Sequence, residues 1–151
     1  METRKPSILV LCTGNSCRSQ MAEAFLRKYA GDRFVIYSAG TVAKEDIHPM
    51  ARQVMSEIGL DMAGQYPKSL QTYLGRVTIR YLMVVCARAE QQCPHIFPGA
   101  LNRMYWPFDD PDQAQGSQEQ RLAVFRRVRD EIETRVCQWL ELCGETEVRS
   151  A

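Results

Sequence analysis

The chain alternates short, continuous apolar runs with segments in which apolar residues recur every three or four positions. Continuous runs are typical of strands buried on both faces, and they lie at 8–12, 34–38 and 81–86, with a shorter candidate at 103–106. Helical spacing begins after residue 16, at Pro49, near 66 and after residue 117, and the last of these segments is predicted to end at Gly144. Strands that alternate with helices predict an α/β fold, an open and mainly four-stranded parallel sheet with helices on both faces.

Capping and turn residues mark the ends of these elements. Gly31 and Gly59 stand where the first two helices should end. Ser117 and Gln120 form a capping-box pattern at the start of the last helix. Between the third and fourth strands, the polar residues 87–97 are predicted to form a loop.

The composition is that of an ordinary globular chain, for which we expect a single domain spanning residues 1–151. Apolar residues make up 45% and charged residues 25%, which excludes a disordered chain. The net charge is +1, so neither nucleic acid nor an anionic membrane is an expected partner. No apolar stretch is long enough for an export signal or a membrane span, and we expect a cytoplasmic protein.

Six cysteines are the unusual feature of the composition. Without an export signal, we expect them to be reduced thiols rather than a disulfide framework. No C-x-x-C pair and no Cys/His cluster is present in the sequence, which argues against a zinc site. No cofactor is expected, and the cysteines require separate explanations.

The first predicted strand ends at Cys12, which forms a C-x5-R pattern with Arg18 ahead of the first helix. Gly14 and Asn15 tolerate the positive φ that turns backbone N–H groups inward, and the helix N-terminus adds partial positive charge. Arg18 can hold two oxygens of a tetrahedral anion. The same field should lower the pKa of Cys12 and give a thiolate nucleophile, to which Ser19 can donate. The predicted oxyanion-binding loop therefore comprises Thr13, Gly14, Asn15, Ser16, Cys17, Arg18 and Ser19.

A second C-x5-R pattern, from Cys143 to Arg149, lacks these features. No strand precedes it, and the carboxylates of Glu145 and Glu147 between its ends would repel an anion. We therefore interpret this pattern as a chance match, and Cys143 as a packing residue of the last helix.

The segment from Val10 to Glu23, VLCTGNSCRSQMAE, resembles the signature of the low-molecular-weight tyrosine phosphatases, in particular of their arsenate reductase branch. The similarity continues through Tyr37–Gly40, Cys86, Cys93-Pro94, Trp106–Pro111 and Phe125–Asp130, and so covers the chain from about residue 7 to about residue 142. The resemblance implies the three-layer, flavodoxin-like fold of that family. The loop signature alone does not separate a phosphatase from a reductase.

The resemblance further implies a relay of three cysteines. Cys12 would attack arsenate, Cys86 would attack Cys12 and release arsenite, and Cys93 would take over the disulfide for reduction by thioredoxin. Two thiols seven residues apart at the end of a strand fit a reductase, whereas a phosphatase needs one nucleophile and water. From the spacing alone, Cys86 can also be a buried small residue and Cys93 an inert loop thiol.

Asp110 precedes Pro111, as the general acid of the family precedes a proline, and the resemblance implies that it protonates the leaving oxygen. Asp109 is the adjacent candidate for this role. The phosphatases of the family usually carry tyrosines after the Asp-Pro pair. Asp112 and Gln113 stand there in this chain, which counts against recognition of phosphotyrosine.

Three functions are therefore compatible with the sequence. The first is an arsenate reductase, which would use arsenate as substrate and thioredoxin or another thiol donor as reductant. The alternative is a protein tyrosine phosphatase that hydrolyses phosphomonoesters through a phosphocysteine at Cys12. The third is a redox sensor that binds an oxyanion and forms the same disulfides without sustained turnover. In each case we expect a monomer.

Some reductases of this branch hold a potassium ion near the loop, and their ligands match Asn15, Glu23 and Ser38. A further aspartate of those reductases is replaced around Ser69 in this chain, which argues against potassium binding. We therefore expect no bound metal ion. Asn15, Glu23 and Ser38 are the candidate ligands for potassium.

Overall fold

The computed structural model describes residues 5–92 and 99–150. Within these ranges, one parallel sheet has the strand order β2-β1-β3-β4, with β1 at Ser7–Cys12, β2 at Val35–Gly40, β3 at Ile79–Val84 and β4 at Ala100–Tyr105. The helices are α1 (Arg18–Ala30), α2 (Pro49–Glu57), α3 (Ala87–Gln92) and α4 (Gln118–Ser150), and short 3-10 helices span Leu70–Thr72 and Pro111–Gln113. The predicted α/β fold with four parallel strands is confirmed.

The central strand β1 is covered on both faces. Its residues Ile8, Leu9, Val10 and Leu11 are fully buried. Because successive side chains of a strand point to opposite faces, apolar structure must cover both sides of the sheet. Each such side chain stabilises the fold by roughly 1.5–3 kcal/mol on leaving water. This packing fixes Cys12 at the carboxyl edge of the sheet, in register with Gly40 at the end of β2.

Helix α4 presents the apolar face that its spacing predicted and packs against α1 and α2. Its buried residues include Phe125, Val128, Ile132 and Val136. The capping box also forms as predicted, since the Gln120 N–H donates to Ser117 Oγ at 3.1 Å and the Ser117 N–H donates to Gln120 Oε1 at 2.8 Å. Across the part of the chain that the structure describes, we find no helix with both the length and the apolar character needed to cross a membrane.

Several predicted boundaries are wrong. The short helix predicted to begin near residue 66 is only a 3-10 turn at Leu70–Thr72, because the preceding Ser69 forms a parallel β-bridge with Gly40. The polar segment 87–97 begins with α3 rather than a loop, and since β3 ends at Val84, Cys86 lies between β3 and α3. Helix α4 continues past Gly144, since one interior glycine costs only about 1 kcal/mol relative to alanine.

Candidate active site

The loop between β1 and α1 has its carbonyl groups engaged by a neighbouring segment. The carbonyl oxygens of Cys12, Thr13, Gly14 and Ser16 accept hydrogen bonds of 2.9–3.0 Å from backbone N–H groups of residues 41–48. These carbonyl groups are therefore satisfied within the fold, while the N–H groups of the loop remain the predicted donors to an anion. Gly40 is required where β2 meets the loop, since a Cβ at that position would overlap the carbonyl oxygen of Thr13.

Asn15 shapes this loop. Its backbone has a φ of 51°, a left-handed conformation that asparagine adopts more readily than most residues, whereas Gly14 does not take a positive φ. The Asn15 side chain is fully buried, and its Nδ2 donates to Ser19 Oγ at 2.7 Å and to Ser38 Oγ at 3.0 Å. Its Oδ1 accepts from the backbone N–H of Lys68 at 2.8 Å. One side chain thus holds the loop, β2 and the segment after α2 together.

Cys12 lies at the base of the loop and is only 3% exposed. Its Sγ lies 2.9 Å from Ser19 Oγ and accepts a hydrogen bond from the Asn15 N–H at 3.2 Å. Burial is the largest influence on this thiol and raises its pKa, while the hydrogen bonds with Ser19 and the charge of Arg18 lower it. The net direction is upward, so the predicted fall in pKa is wrong. The sequence shows the donors around the sulfur but not the depth at which β1 buries it.

Replacing Ser19 by alanine is expected to raise the Cys12 pKa further, because the side-chain hydrogen bond with Ser19 is the strongest influence that lowers it. We expect alkylation of Cys12 by iodoacetamide at pH 7 to slow by about tenfold, the effect of about one hydrogen bond to a charged group. The rate would be followed against pH by mass spectrometry of the Cys12 peptide. Ser56→Ala, at an exposed position on α2, is the matched control. An unchanged pH profile in Ser19→Ala would show that Ser19 does not stabilise the thiolate.

Arg18 begins α1 and is anchored on one side of the cleft. Its Nη1 donates to the carbonyl oxygen of Phe108 at 3.1 Å, and its Nη2 lies 3.5 Å from Oδ2 of Asp110. Among the described residues, its buried Nε has no hydrogen-bond partner. Since a buried donor is normally paired, this N–H is suited to an oxygen of a bound anion.

The structure separates the two candidate general acids. Asp110 lines the cleft, and its Oδ1 accepts from the Asp112 N–H at 3.0 Å. The Asp109 side chain is 74% exposed and pairs instead with Arg127 at 3.2 Å. Of the two candidates, Asp110 is therefore the one that lines the cleft.

A second buried thiol faces the same cleft, which has a volume of about 640 Å³. Cys86 is 2% exposed, and its Sγ lies 3.3 Å from Thr13 Oγ1 in the oxyanion loop. Cys12 and Cys86 both line the cleft, as does Cys17, whose pKa burial raises to about 12 so that it stays protonated at neutral pH. Cys93, the third cysteine of the predicted relay, lies outside the described residues.

Sequence reasoning missed a charged cluster around Asp112 at the mouth of the cleft. The Asp112 carboxylate contacts Lys44 Nζ at 3.1 Å and His48 Nε2 at 3.0 Å, with Arg121 Nη2 at 3.9 Å. Burial opposes its ionisation, but Lys44 and His48 hold the pKa of Asp112 below its usual range. In the sequence, the only indication of this cluster was Asp112 itself, the acidic residue after the Asp-Pro pair. Its partners lie in segments that carry no recognisable motif.

The three potassium candidates lie side by side behind the loop. Ser38 Oγ donates to Glu23 Oε1 at 2.5 Å and accepts from Asn15 Nδ2. The buried Glu23 carboxylate also contacts Arg27 Nε at 2.8 Å and has Lys68 Nζ at 4.0 Å. Burial lowers the pKa of Lys68, and the charge of Glu23 opposes this. The carboxylate therefore already has two cationic neighbours from the chain.

The chain is similar in sequence to known phosphatases and arsenate reductases. Residues 7–149 match the model of the family described as low molecular weight phosphotyrosine protein phosphatase. The curated relatives include an arsenate reductase of Halalkalibacterium halodurans, 44% identical over 133 residues that cover 87% of this chain and 93% of the relative. An arsenate reductase of Bacillus subtilis is 41% identical over 135 residues, covering 89% of this chain and 94% of the relative.

Solved structures include an arsenate reductase in its phosphate-binding state, which is 27% identical with a TM-score of 0.71 and covers 90% of this chain and 97% of that one. A tyrosine phosphatase from Escherichia coli K30 in complex with sulphate is 25% identical with a TM-score of 0.75. The match covers 93% of this chain and all of the phosphatase chain. The same fold therefore carries both activities.

Proposed function

Because the chain belongs to the low molecular weight phosphotyrosine protein phosphatase family, in its arsenate reductase branch, we propose that it reduces arsenate to arsenite. The observation that carries this function is a second buried thiol, Cys86, in the same cleft as Cys12. Hydrolysis of a phosphate ester requires one nucleophile and water. Reduction of arsenic(V) requires two electrons, which a pair of thiols supplies by forming a disulfide.

The first step is attack by Cys12 on arsenate held in the loop. A sulfur–arsenic bond forms, and one arsenate oxygen leaves as water after taking a proton from Asp110. Asp110 then takes up the proton that the Cys12 thiol releases, so its carboxyl group is unchanged at the end of the step. The loop N–H groups and Arg18 hold the other oxygens and stabilise their charge in the transition state.

The second step transfers electrons to arsenic. The sulfur of Cys86 attacks Sγ of Cys12, so that a disulfide forms and the sulfur–arsenic bond breaks. The bonding pair stays on arsenic, which leaves as arsenite, and two thiols have been oxidised. The proton of the Cys86 thiol passes to an oxygen of the departing arsenite, and the hydroxyl of Thr13, 3.3 Å from the Cys86 sulfur, is in position to donate a hydrogen bond to that sulfur as it loses the proton.

The enzyme must then be reduced again for another turnover. We propose that Cys93 attacks Cys86, which restores the Cys12 thiol and leaves a Cys86–Cys93 disulfide for a dithiol donor such as thioredoxin. We propose that these reactions take place in the reducing cytoplasm, where Cys12, Cys17, Cys86 and Cys137 are kept as thiols.

The proposed function is tested by NADPH oxidation on addition of arsenate to the protein with thioredoxin and thioredoxin reductase. Wild-type protein should sustain NADPH oxidation and release arsenite continuously. Cys93→Ser should release about one arsenite per protein molecule and then stop, because its Cys12–Cys86 disulfide cannot be passed on. Cys137→Ser, a partly buried thiol of α4, is the matched control and should behave as wild type.

An absence of NADPH oxidation with thioredoxin and with other dithiol donors would contradict the proposal. A second candidate function, hydrolysis of phosphomonoesters through a phosphocysteine, is favoured by Asp110 beside Arg18 in the cleft. In that case hydrolysis of an aryl phosphate would be the main activity, and Cys93→Ser would leave it unchanged. Asp112 and Gln113 after the Asp-Pro pair argue against phosphotyrosine as the natural substrate.

A further inference from the structure

A continuous line of polar side chains connects Lys68 to the nucleophile behind the oxyanion loop. Lys68 Nζ lies 4.0 Å from Glu23 Oε1, and the following donor–acceptor distances are 2.5 Å from Ser38 to Glu23, 3.0 Å from Asn15 to Ser38, 2.7 Å from Asn15 to Ser19 and 2.9 Å between Ser19 and Cys12. A change at Lys68 can therefore reach the sulfur through buried groups.

The oxygens along this line do not fit a potassium ion. Asn15 presents its NH₂ group to Ser38, and its oxygen already accepts the Lys68 N–H. The Glu23 carboxylate faces Arg27 on one oxygen and Ser38 and Lys68 on the other. A metal cation placed beside Glu23 would meet the ammonium group of Lys68 and be repelled by it.

We propose that Lys68 is a positioning residue whose ammonium group takes the place of a monovalent cation beside Glu23, so that Cys12 is reactive without added potassium. A buried carboxylate requires a compensating positive charge, and Glu23 is 2% exposed. The ionised Glu23 makes the Ser38 hydroxyl a donor toward it, which leaves the Ser38 oxygen to accept from Asn15. This holds the Asn15 NH₂ group directed at Ser19.

Lys68 suits this role better than Arg27, the other cation beside Glu23. The Lys68 side chain is 11% exposed and that of Arg27 is 54% exposed. The Lys68 backbone is also fixed on both sides, since its N–H donates to Asn15 Oδ1 at 2.8 Å and its carbonyl accepts from the Gly40 N–H at 2.8 Å. Its Nζ donates to the Tyr66 carbonyl at 2.6 Å, which further restrains the ammonium group.

The inference deepens the proposed function, because these residues act on Cys12, but its test needs no arsenate. Alkylation of Cys12 by iodoacetamide at pH 7 is compared in potassium chloride and in tetramethylammonium chloride at equal ionic strength. Wild-type protein should react equally fast in both salts. Lys68→Gln should be about fivefold slower in tetramethylammonium chloride and recover in potassium chloride. Lys28→Gln, an exposed lysine of α1, controls for the lost charge and should match wild type.

Two results would overturn the inference. One is wild-type alkylation that is faster in potassium chloride than in tetramethylammonium chloride, and the other is a Lys68→Gln protein that reacts like Lys28→Gln. Should Lys68→Gln fail to fold, the wild-type comparison still decides, and Lys68→Arg should keep rates that do not depend on the salt. If alkylation behaves as expected but arsenate is not reduced, the proposed function fails and the role of Lys68 stands.

Discussion

Replacing Cys86 by serine should abolish arsenate reduction while leaving hydrolysis of an aryl phosphate within about twofold of wild type. Serine cannot form a disulfide with Cys12, so the sulfur–arsenic adduct has no route to arsenite. We expect the reductase rate to fall by about three orders of magnitude or more. Hydrolysis needs only Cys12, Arg18, Asp110 and water, and the buried hydroxyl of serine can keep the contact with Thr13 that the Cys86 sulfur makes.

Both activities would be measured on the same preparations of Cys86→Ser, Cys137→Ser and wild type. Cys137→Ser removes a thiol remote from the cleft and should leave both rates unchanged. In Cys86→Ser, arsenate reduction must be lost while aryl phosphate hydrolysis is retained. A parallel loss of both would mean that the substitution damages the loop, and sustained reduction in Cys86→Ser would exclude Cys86 as the second thiol.

The conformation of the loop between β1 and α1 could be predicted from the sequence because its determinants are local. A continuous apolar run, a Gly-Asn turn and a helix start within twelve residues define β1, the loop and α1. The positive φ at Asn15 and the place of Arg18 at the first residue of α1 follow from the same short segment. The parallel sheet then brings Cys86 to this edge, because the carboxyl ends of parallel strands lie together.

The groups that surround the loop could not be predicted in the same way, because they depend on distant pairings. Lys44 and Asp112 are 68 residues apart, and Asn15 meets the backbone of Lys68 across 53 residues. Neither pair has a spacing that a motif would show. Burial of Cys12 is a further property of the assembled sheet, which is why the direction of its pKa was predicted wrongly while its position was predicted correctly.

Arg18→Lys should reduce kcat/KM for arsenate reduction and for aryl phosphate hydrolysis together, by about 100-fold or more. Lysine keeps one positive charge but lacks the planar fork, so it cannot donate to Phe108 from one nitrogen while offering others to the anion. The buried Nε, which has no partner among the described residues, is lost as well. Both substrates are tetrahedral oxyanions, and they depend on the same donors.

The expected effect of Arg18→Lys differs from that of Cys86→Ser in that both activities are lost together. Removing a relay thiol should separate the two activities, whereas removing the anion-binding fork should lower both in proportion. Arg127→Lys, at an exposed arginine whose partners include Asp109, is the matched control and should leave both rates unchanged. Steady-state kinetics with both substrates, and thermal unfolding to confirm that each variant is folded, provide the measurement. Retention of either activity within about fivefold in Arg18→Lys would show that the guanidinium fork does not hold the anion in the transition state.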